Sequence, residues 1–119
     1  MNPPAVKNLR TGATLATEAF IARTFWARLK GLLGSDELPP GHSLLIVPCN
    51  SVHGFGMRYA IDVLFLKKDG TVMACVPGLK PWKMSPIVRG ARAALELPAG
   101  TIAATGTRKG DRLAMPPIP

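Results

Sequence analysis

The stretch Ile61–Leu66 (IDVLFL), followed by Lys67–Gly70 (KKDG) and Thr71–Val76 (TVMACV), decides the fold. Two short runs of branched and aromatic apolar residues are joined by four residues that end in Asp-Gly, a pattern typical of a β-hairpin. Asp62 lies inside the first run, where a carboxylate must be paired or solvated because burying it alone is costly. The stretch therefore predicts two antiparallel strands and one acidic side chain that needs a partner.

Further strands are predicted on both sides of this hairpin. Residues 17–22 alternate weakly between apolar and polar, and Leu44–Val47 is a continuous apolar run stopped by Pro48, which favours a strand buried on both faces. After the hairpin, residues 91–97 fit a helix or a strand equally well by composition. Residues 108–113 are typical of a turn that leads into a final strand.

One helix is predicted between the first two strands. Thr24 is a good N-cap, Gly34 stands where a glycine would end the helix, and the apolar residues between them share one helical face: Phe25, Leu29, Leu32 and Leu33. The elements together predict a mainly β (α+β) domain, a small mixed or barrel-like β-sheet with one short helix after the first strand. We expect residues 1–13 to be a flexible leader and residues 14–115 to form a single compact domain.

The composition excludes several classes of protein. The chain has 119 residues, 47% of them hydrophobic, with 15 Lys and Arg against 7 Asp and Glu, a formal charge of +8. This is enough for one domain with its own core, too apolar for disorder, and without the run of about 18 apolar residues that spans a membrane. Since the N-terminus also lacks the pattern of a secretory signal, we expect a soluble cytoplasmic protein with no membrane partner.

The positive charge permits non-specific nucleic-acid binding, but it does not favour it strongly. The longest basic run is Lys67-Lys68, and the remaining cations are spread along the chain without a nucleic-acid-binding motif. No metal site or cofactor is predicted, because Cys49 and Cys75 are isolated and the chain has only two histidines.

The candidate functional residues come mainly from residues 48–62, the densest polar cluster in an apolar context. The ligand-binding candidates are Asn50, Ser51, His53, Arg58, Asp62 and the loop residue Trp82. We expect His53, Arg58 and Asp62 to line one pocket, in which the planar guanidinium of Arg58 would bind a carboxylate, a phosphate or a sugar hydroxyl. The leading hypothesis is therefore a domain that binds a small anionic or sugar ligand.

Two alternatives stay open at this point. A hydrolase or transferase would use His53 as base and Ser51 or Cys49 as nucleophile, although residues two apart on a strand lie about 7 Å apart and no GxSxG motif is present. Whether the protein is an enzyme is therefore undecided, as is its oligomeric state. The structural alternative is that the polar residues form ion pairs, with these candidates: Arg28, Asp62, Arg89, Glu96 and Asp111.

Three stretches of the sequence carry a resemblance to a known family: residues 24–34, residues 50–66, and residues 95–100 followed by Gly110-Asp111. In order and spacing they resemble the domain-of-unknown-function 192 family, also called uncharacterised protein family 0127. The resemblance spans about residues 15–114. The matching positions are Arg28, Gly31, Met57, Asp62, Glu96, Gly100 and Asp111. It implies a small, mainly β domain of bacteria and archaea with no settled activity or cofactor.

Overall fold

The structure, a computed structural model, describes residues 5–22, 38–52 and 59–119. Within these ranges the chain forms short strands and one short helix. The strands are β1 (Val6–Asn8), β2 (Thr14–Ala16), β3 (Glu18–Ala22), β4 (His42–Ile46), β5 (Ile61–Leu66), β6 (Val72–Leu79), β7 (Ala93–Pro98) and β8 (Leu113–Ala114), and the helix α1 is Thr101–Thr105.

The described strands form two sheets. The smaller is antiparallel, in the order β2-β1-β8. The larger has the order β3-β4-β7-β5-β6, and it is mixed because β3 and β4 run parallel while its other neighbours run antiparallel. The predicted mainly β fold with a mixed sheet is therefore confirmed, and in the described part of the chain neither sheet closes into a barrel.

The predicted hairpin is confirmed as β5 and β6. Its turn requires a glycine at position 70: Gly70 has a φ of 90°, and a Cβ atom there would lie 2.9 Å from the carbonyl oxygen of Leu113. Strand β6 continues through Pro77 to Leu79, further than the sequence indicated. The proline is tolerated because β6 lies at the edge of the sheet that the described strands form, where a strand can lack an N–H without losing a hydrogen bond of the sheet.

The ambiguous segment 91–97 proves to be a strand. Strand β7 is hydrogen-bonded to β4 on one side and to β5 on the other, with Leu95 level with both Leu45 and Leu64. Its neighbours in the sheet decide its structure, since composition alone fits either state.

The folded domain begins earlier than residue 14. The sequence predicted a flexible leader over residues 1–13, but β1 pairs with β2 and with β8, and both Val6 and Asn8 are buried. A three-residue strand is too short to show a hydrophobic period, so the sequence pattern did not reveal it.

The helix predicted from Thr24 to Leu33 lies outside the described residues. The helix that the structure does describe, α1, follows β7 and was not predicted. It is a five-residue turn between Gly100 and Gly106, which both have positive φ.

The five-stranded sheet buries apolar side chains on both faces. We call the face that packs with the three-stranded sheet the inner face; there Leu45, Leu64 and Leu95 join Val6 and Leu15 of the smaller sheet in one cluster. The opposite, second face carries another cluster, which includes Ile46, Val63, Phe65, Ala94 and Leu79. Because side chains alternate along a strand, neighbouring residues of β5 and β7 belong to different clusters.

Candidate functional site

Asp62 is a buried carboxylate held by backbone amides. It lies level with Leu97 and on the same side of β5 as Leu64, which places it on the inner face with 1% of its surface exposed. One carboxylate oxygen accepts a hydrogen bond from the Gly78 amide and the other from the Ile102 amide, both at 2.8 Å. Asp62 therefore satisfies a free amide in the first turn of α1, where the cap residue Gly100 has no side chain to do so.

The sequence predicts Arg58, Arg28 or Arg89 as an ion-pair partner of Asp62. Arg28 and Arg58, two of its expected partners, lie outside the described residues, as does His53. The third, Arg89, is an exposed residue of the loop between β6 and β7. The described partners of Asp62 are amides because the alternation of β5 directs its side chain towards β6 and α1.

Glu96 lies on the opposite side of the same sheet. It is fully buried and level with Leu44 and Val63, two residues of the second-face cluster. Asp62 and Glu96, both predicted as ion-pair candidates, are thus separated by the sheet and belong to different environments.

Asp111 is the centre of a polar cluster that ties β1 to the segment before β8. Arg10 donates to both carboxylate oxygens, at 2.6 and 3.0 Å, the Asn8 amide group donates at 2.9 Å, and the backbone amide of Arg108 donates at 2.9 Å. The hydrogen bond from Arg10 is the main cause that holds the pKa of Asp111 well below its usual range. Arg10 was not predicted, because nothing in the sequence links residues that are so far apart.

The predicted site residues Asn50 and Ser51 hold the loop that follows β6. The amide of Val88 donates to the Asn50 carbonyl at 2.7 Å, and the Ser51 hydroxyl donates to the Ser85 carbonyl at 3.5 Å. Next to them, Val52 and Ser85 exchange hydrogen bonds of 2.7 and 2.9 Å. The described role of this segment is therefore to position residues 85–88.

The nucleophile candidates lie beside each other. The Cys49 thiol is buried and donates to the Ser51 carbonyl at 3.1 Å. Their expected base, His53, lies outside the described residues. Burial raises the pKa of the other thiol, Cys75, which is packed against the inner-face cluster.

Three positively charged residues border a groove of about 520 Å³ that is open to solvent. We call it the basic groove. Its cationic lining residues are Lys67, Arg89 and Lys109, its apolar ones are Val72, Met73, Ile87 and Val88, and Thr71 and Gly110 complete it. None of these described lining residues is a carboxylate.

Three separate segments assemble the basic groove around the start of β6. The Gly110 amide donates to the Val72 carbonyl at 2.8 Å, which holds Lys109 on one side. The bond from Val88 to Asn50 holds Arg89 on the other side, and Lys67 stands at the hairpin turn. The three cations are far apart in sequence, so the pattern of charges along the chain did not reveal the groove.

The acidic residues near the groove leave it positive. The carboxylate of Asp69 accepts a hydrogen bond from the Thr71 amide at 2.9 Å, and this bond, together with the charges of Arg112 and Lys67, lowers its pKa. Asp69 therefore offsets part of the charge of Lys67. The carboxylate of Asp111 is already paired with Arg10.

Trp82, a predicted border of the pocket, is not among the lining residues of the basic groove. It is 64% exposed and has a φ of 66° in the loop after β6. Among the residues that the structure describes, no three His, Cys, Asp or Glu side chains are grouped closely enough to hold a metal ion, and no helix is long and apolar enough to cross a membrane.

The fold and the site define a small β domain of two facing sheets with a cationic groove at its hairpin turn. The chain belongs to the domain-of-unknown-function 192 family, whose model, described as "Uncharacterized ACR, COG1430", matches residues 6–115. That match begins at β1, in agreement with the ordered N-terminal strand.

Curated relatives and solved structures agree with this assignment. The UPF0127 protein PF1050 of Pyrococcus furiosus is 34% identical over 111 residues, which cover 89% of this chain and 93% of the relative. The UPF0127 protein PYRAB11210 of Pyrococcus abyssi is 31% identical over 108 residues, which cover 86% of this chain and 85% of the relative. A crystal structure from Sinorhizobium meliloti, described as a "putative transcription regulator", has a TM-score of 0.76 at 27% identity over 92% of this chain and 91% of the other. A protein of unknown function from Novosphingobium aromaticivorans has the same fold, with a TM-score of 0.78 at 22% identity over 92% and 83%.

Proposed function

We propose that this domain binds a small anionic ligand in the basic groove. The observation that carries the proposal is the convergence of Lys67, Arg89 and Lys109 on one groove whose described lining contains no carboxylate. Such a site attracts anions because each cation repels the others and an anion relieves this repulsion. The guanidinium of Arg89 adds planar, bidentate geometry, which matches a carboxylate or a phosphate better than a sugar hydroxyl.

The volume of the groove fits this proposal. About 520 Å³ lies within the range of about 300–1,000 Å³ that pockets for small organic ligands have. The proposal keeps the anion preference expected from the sequence but assigns it to Arg89 and its neighbours instead of to a pocket around Arg58 and Asp62. Each carboxylate oxygen of Asp62 accepts a hydrogen bond from a backbone amide, and the side chain lies on the inner face.

The test is a calorimetric titration with inorganic phosphate at fixed ionic strength. Arg89→Gln should weaken phosphate binding about fivefold, since a charged hydrogen bond that is open to solvent contributes on the order of 1 kcal/mol. Lys80→Gln is the matched control: it removes an equally positive, exposed charge that does not line the groove, and should change the affinity less than twofold. Equal effects of the two variants, or equally tight binding of glucose and phosphate, would refute a local anion site.

Non-specific nucleic-acid binding is a second candidate, favoured by cations on the other side of the same turn. Lys68 and Arg112 line a second groove of about 270 Å³, so the turn carries positive charge on both flanks. The description of the Sinorhizobium meliloti structure agrees with this candidate. It predicts that affinity for a short DNA duplex falls steeply as salt is added. In the double variant Lys68→Gln, Arg112→Gln, the slope of log affinity against log salt concentration should be smaller in magnitude by about two.

A further inference from the structure

We propose that the ligand of the basic groove is an amphipathic anion, with a charged head and a short aliphatic chain. This inference rests on the proposed function and names the class of ligand. The observation that supports it does not depend on the charges: the apolar residues Met73, Ile87 and Val88 line the same groove as Arg89 and Lys109.

Ile87 is the main reason to expect an apolar part in the ligand. Its side chain is 69% exposed and lines the groove. Contact with an apolar part of a ligand would remove this aliphatic surface from water, which is favourable. The hydrogen bond from the neighbouring Val88 amide to Asn50 fixes the backbone at this point, so the apolar surface is held in place. Met73 lies close by on β6 and adds a flexible apolar side chain that adapts to differently shaped partners.

The size of the groove also argues against a bare inorganic anion. Phosphate occupies only a few times the volume of a water molecule, which is about 30 Å³ in the liquid, and the groove has about 520 Å³. A phosphate or carboxylate beside Arg89 and Lys109 therefore leaves room for several methylene groups along Ile87, Val88 and Met73. Such a ligand removes apolar surface of both the chain and the groove from water.

The experiment is a titration of the full chain with inorganic phosphate, butyl phosphate and hexyl phosphate, each below its aggregation concentration, and with 1-hexanol as the neutral counterpart. Each added methylene should tighten binding about twofold, because full burial is worth about fourfold and the groove is open on one side. Hexanol should bind much more weakly than hexyl phosphate, since it lacks the charged head.

Ile87→Gln tests the apolar wall, and Met84→Gln is its matched control because Met84 is also 69% exposed but does not line the groove. Ile87→Gln should remove most of the gain from butyl to hexyl phosphate and leave the affinity for inorganic phosphate within twofold. Met84→Gln should change neither. Both positions are exposed, so both variants are expected to melt within a few degrees of the parent.

The outcomes separate this inference from the proposed function. If all three phosphates bind with equal affinity and Arg89→Gln weakens them equally, the anion site stands and the amphipathic ligand is refuted. If the chain-length gain persists in Ile87→Gln, or if Met84→Gln removes it as well, the assignment to this groove is wrong. If none of the phosphates binds, the proposed function fails and this inference fails with it.

Discussion

Replacing Asp62 by alanine should destabilise the domain strongly without acting on the basic groove. The side chain is 1% exposed and accepts hydrogen bonds of 2.8 Å from the amides of Gly78 and Ile102. Asp62→Ala removes both acceptors at once, and the two N–H groups belong to different elements, the end of β6 and the first turn of α1.

The magnitude follows from the burial of the two amides. The bond to Ile102 is buried, and leaving such a donor unsatisfied costs about 1–3 kcal/mol. The bond to Gly78 is only partly buried, so water can replace the carboxylate there and the loss is below about 1 kcal/mol. The expected loss in the free energy of unfolding is therefore about 1–4 kcal/mol, which for a chain of this length lowers the melting temperature by about 4–16 °C.

Urea unfolding at pH 7 measures this loss, with Asp69→Ala as the control on the same hairpin. Asp69 is exposed and its carboxylate is hydrogen-bonded only locally, by Thr71 two residues on, so its replacement should cost less than about 1 kcal/mol. Asp62→Asn keeps one acceptor oxygen and should fall between the two. If Asp62→Ala is no less stable than Asp69→Ala, the two amides do not depend on this carboxylate and the structural role assigned to Asp62 is wrong.

Two further predictions concern stability. The pKa of Asp111 is lowered in the folded state by Arg10, so its contribution to the free energy of unfolding is present above about pH 4 and is lost as the pH falls below the pKa of the unfolded chain. Arg10→Gln should therefore make the stability measured with urea depend less on pH between about 4 and 2. An unchanged slope of stability against pH would contradict this cause. Gly70→Ala should lower the free energy of unfolding by at least about 2 kcal/mol, because a positive φ is combined with a Cβ atom 2.9 Å from the Leu113 carbonyl. Gly78→Ala, with a positive φ but open space around it, should cost only about 1 kcal/mol. Equal melting temperatures of the two variants would contradict the close approach at Gly70.

The sequence predicted those parts of the fold that depend on neighbouring residues. The hairpin of β5 and β6 is confirmed because its apolar runs and its Asp-Gly turn lie within sixteen consecutive residues, 61–76. Strand β1 and helix α1 were missed because each is short and is stabilised from a distance: β1 by its pairing with β8, and α1 by the carboxylate of Asp62. Neither partner can be recognised in a local pattern.

The candidate site shows the same limit. The polar cluster at residues 48–62 is visible in the sequence, but the hydrogen bonds of the Asn50 carbonyl and the Ser51 hydroxyl to the loop of residues 85–88 are not, and residues 53–58 lie outside the described part of the chain. The basic groove was not visible, since Lys67, Arg89 and Lys109 come from three segments that meet only at the start of β6. Lys67 stands out in the sequence only as part of the longest basic run, Lys67-Lys68, which does not indicate a groove.

The cations that line the basic groove are not among the matching positions of the family resemblance. Asp62 joins β5 to α1, and Asp111 joins β1 to the segment before β8, so both acidic residues act on the fold. Arg89 and Lys109 lie outside the matching positions and are exposed, where substitution costs little stability. A relative that keeps both acidic residues but lacks these cations should therefore adopt the same two sheets and fail to bind phosphate in the groove. If such a relative binds phosphate as tightly as this chain, the anion site must lie elsewhere in the fold.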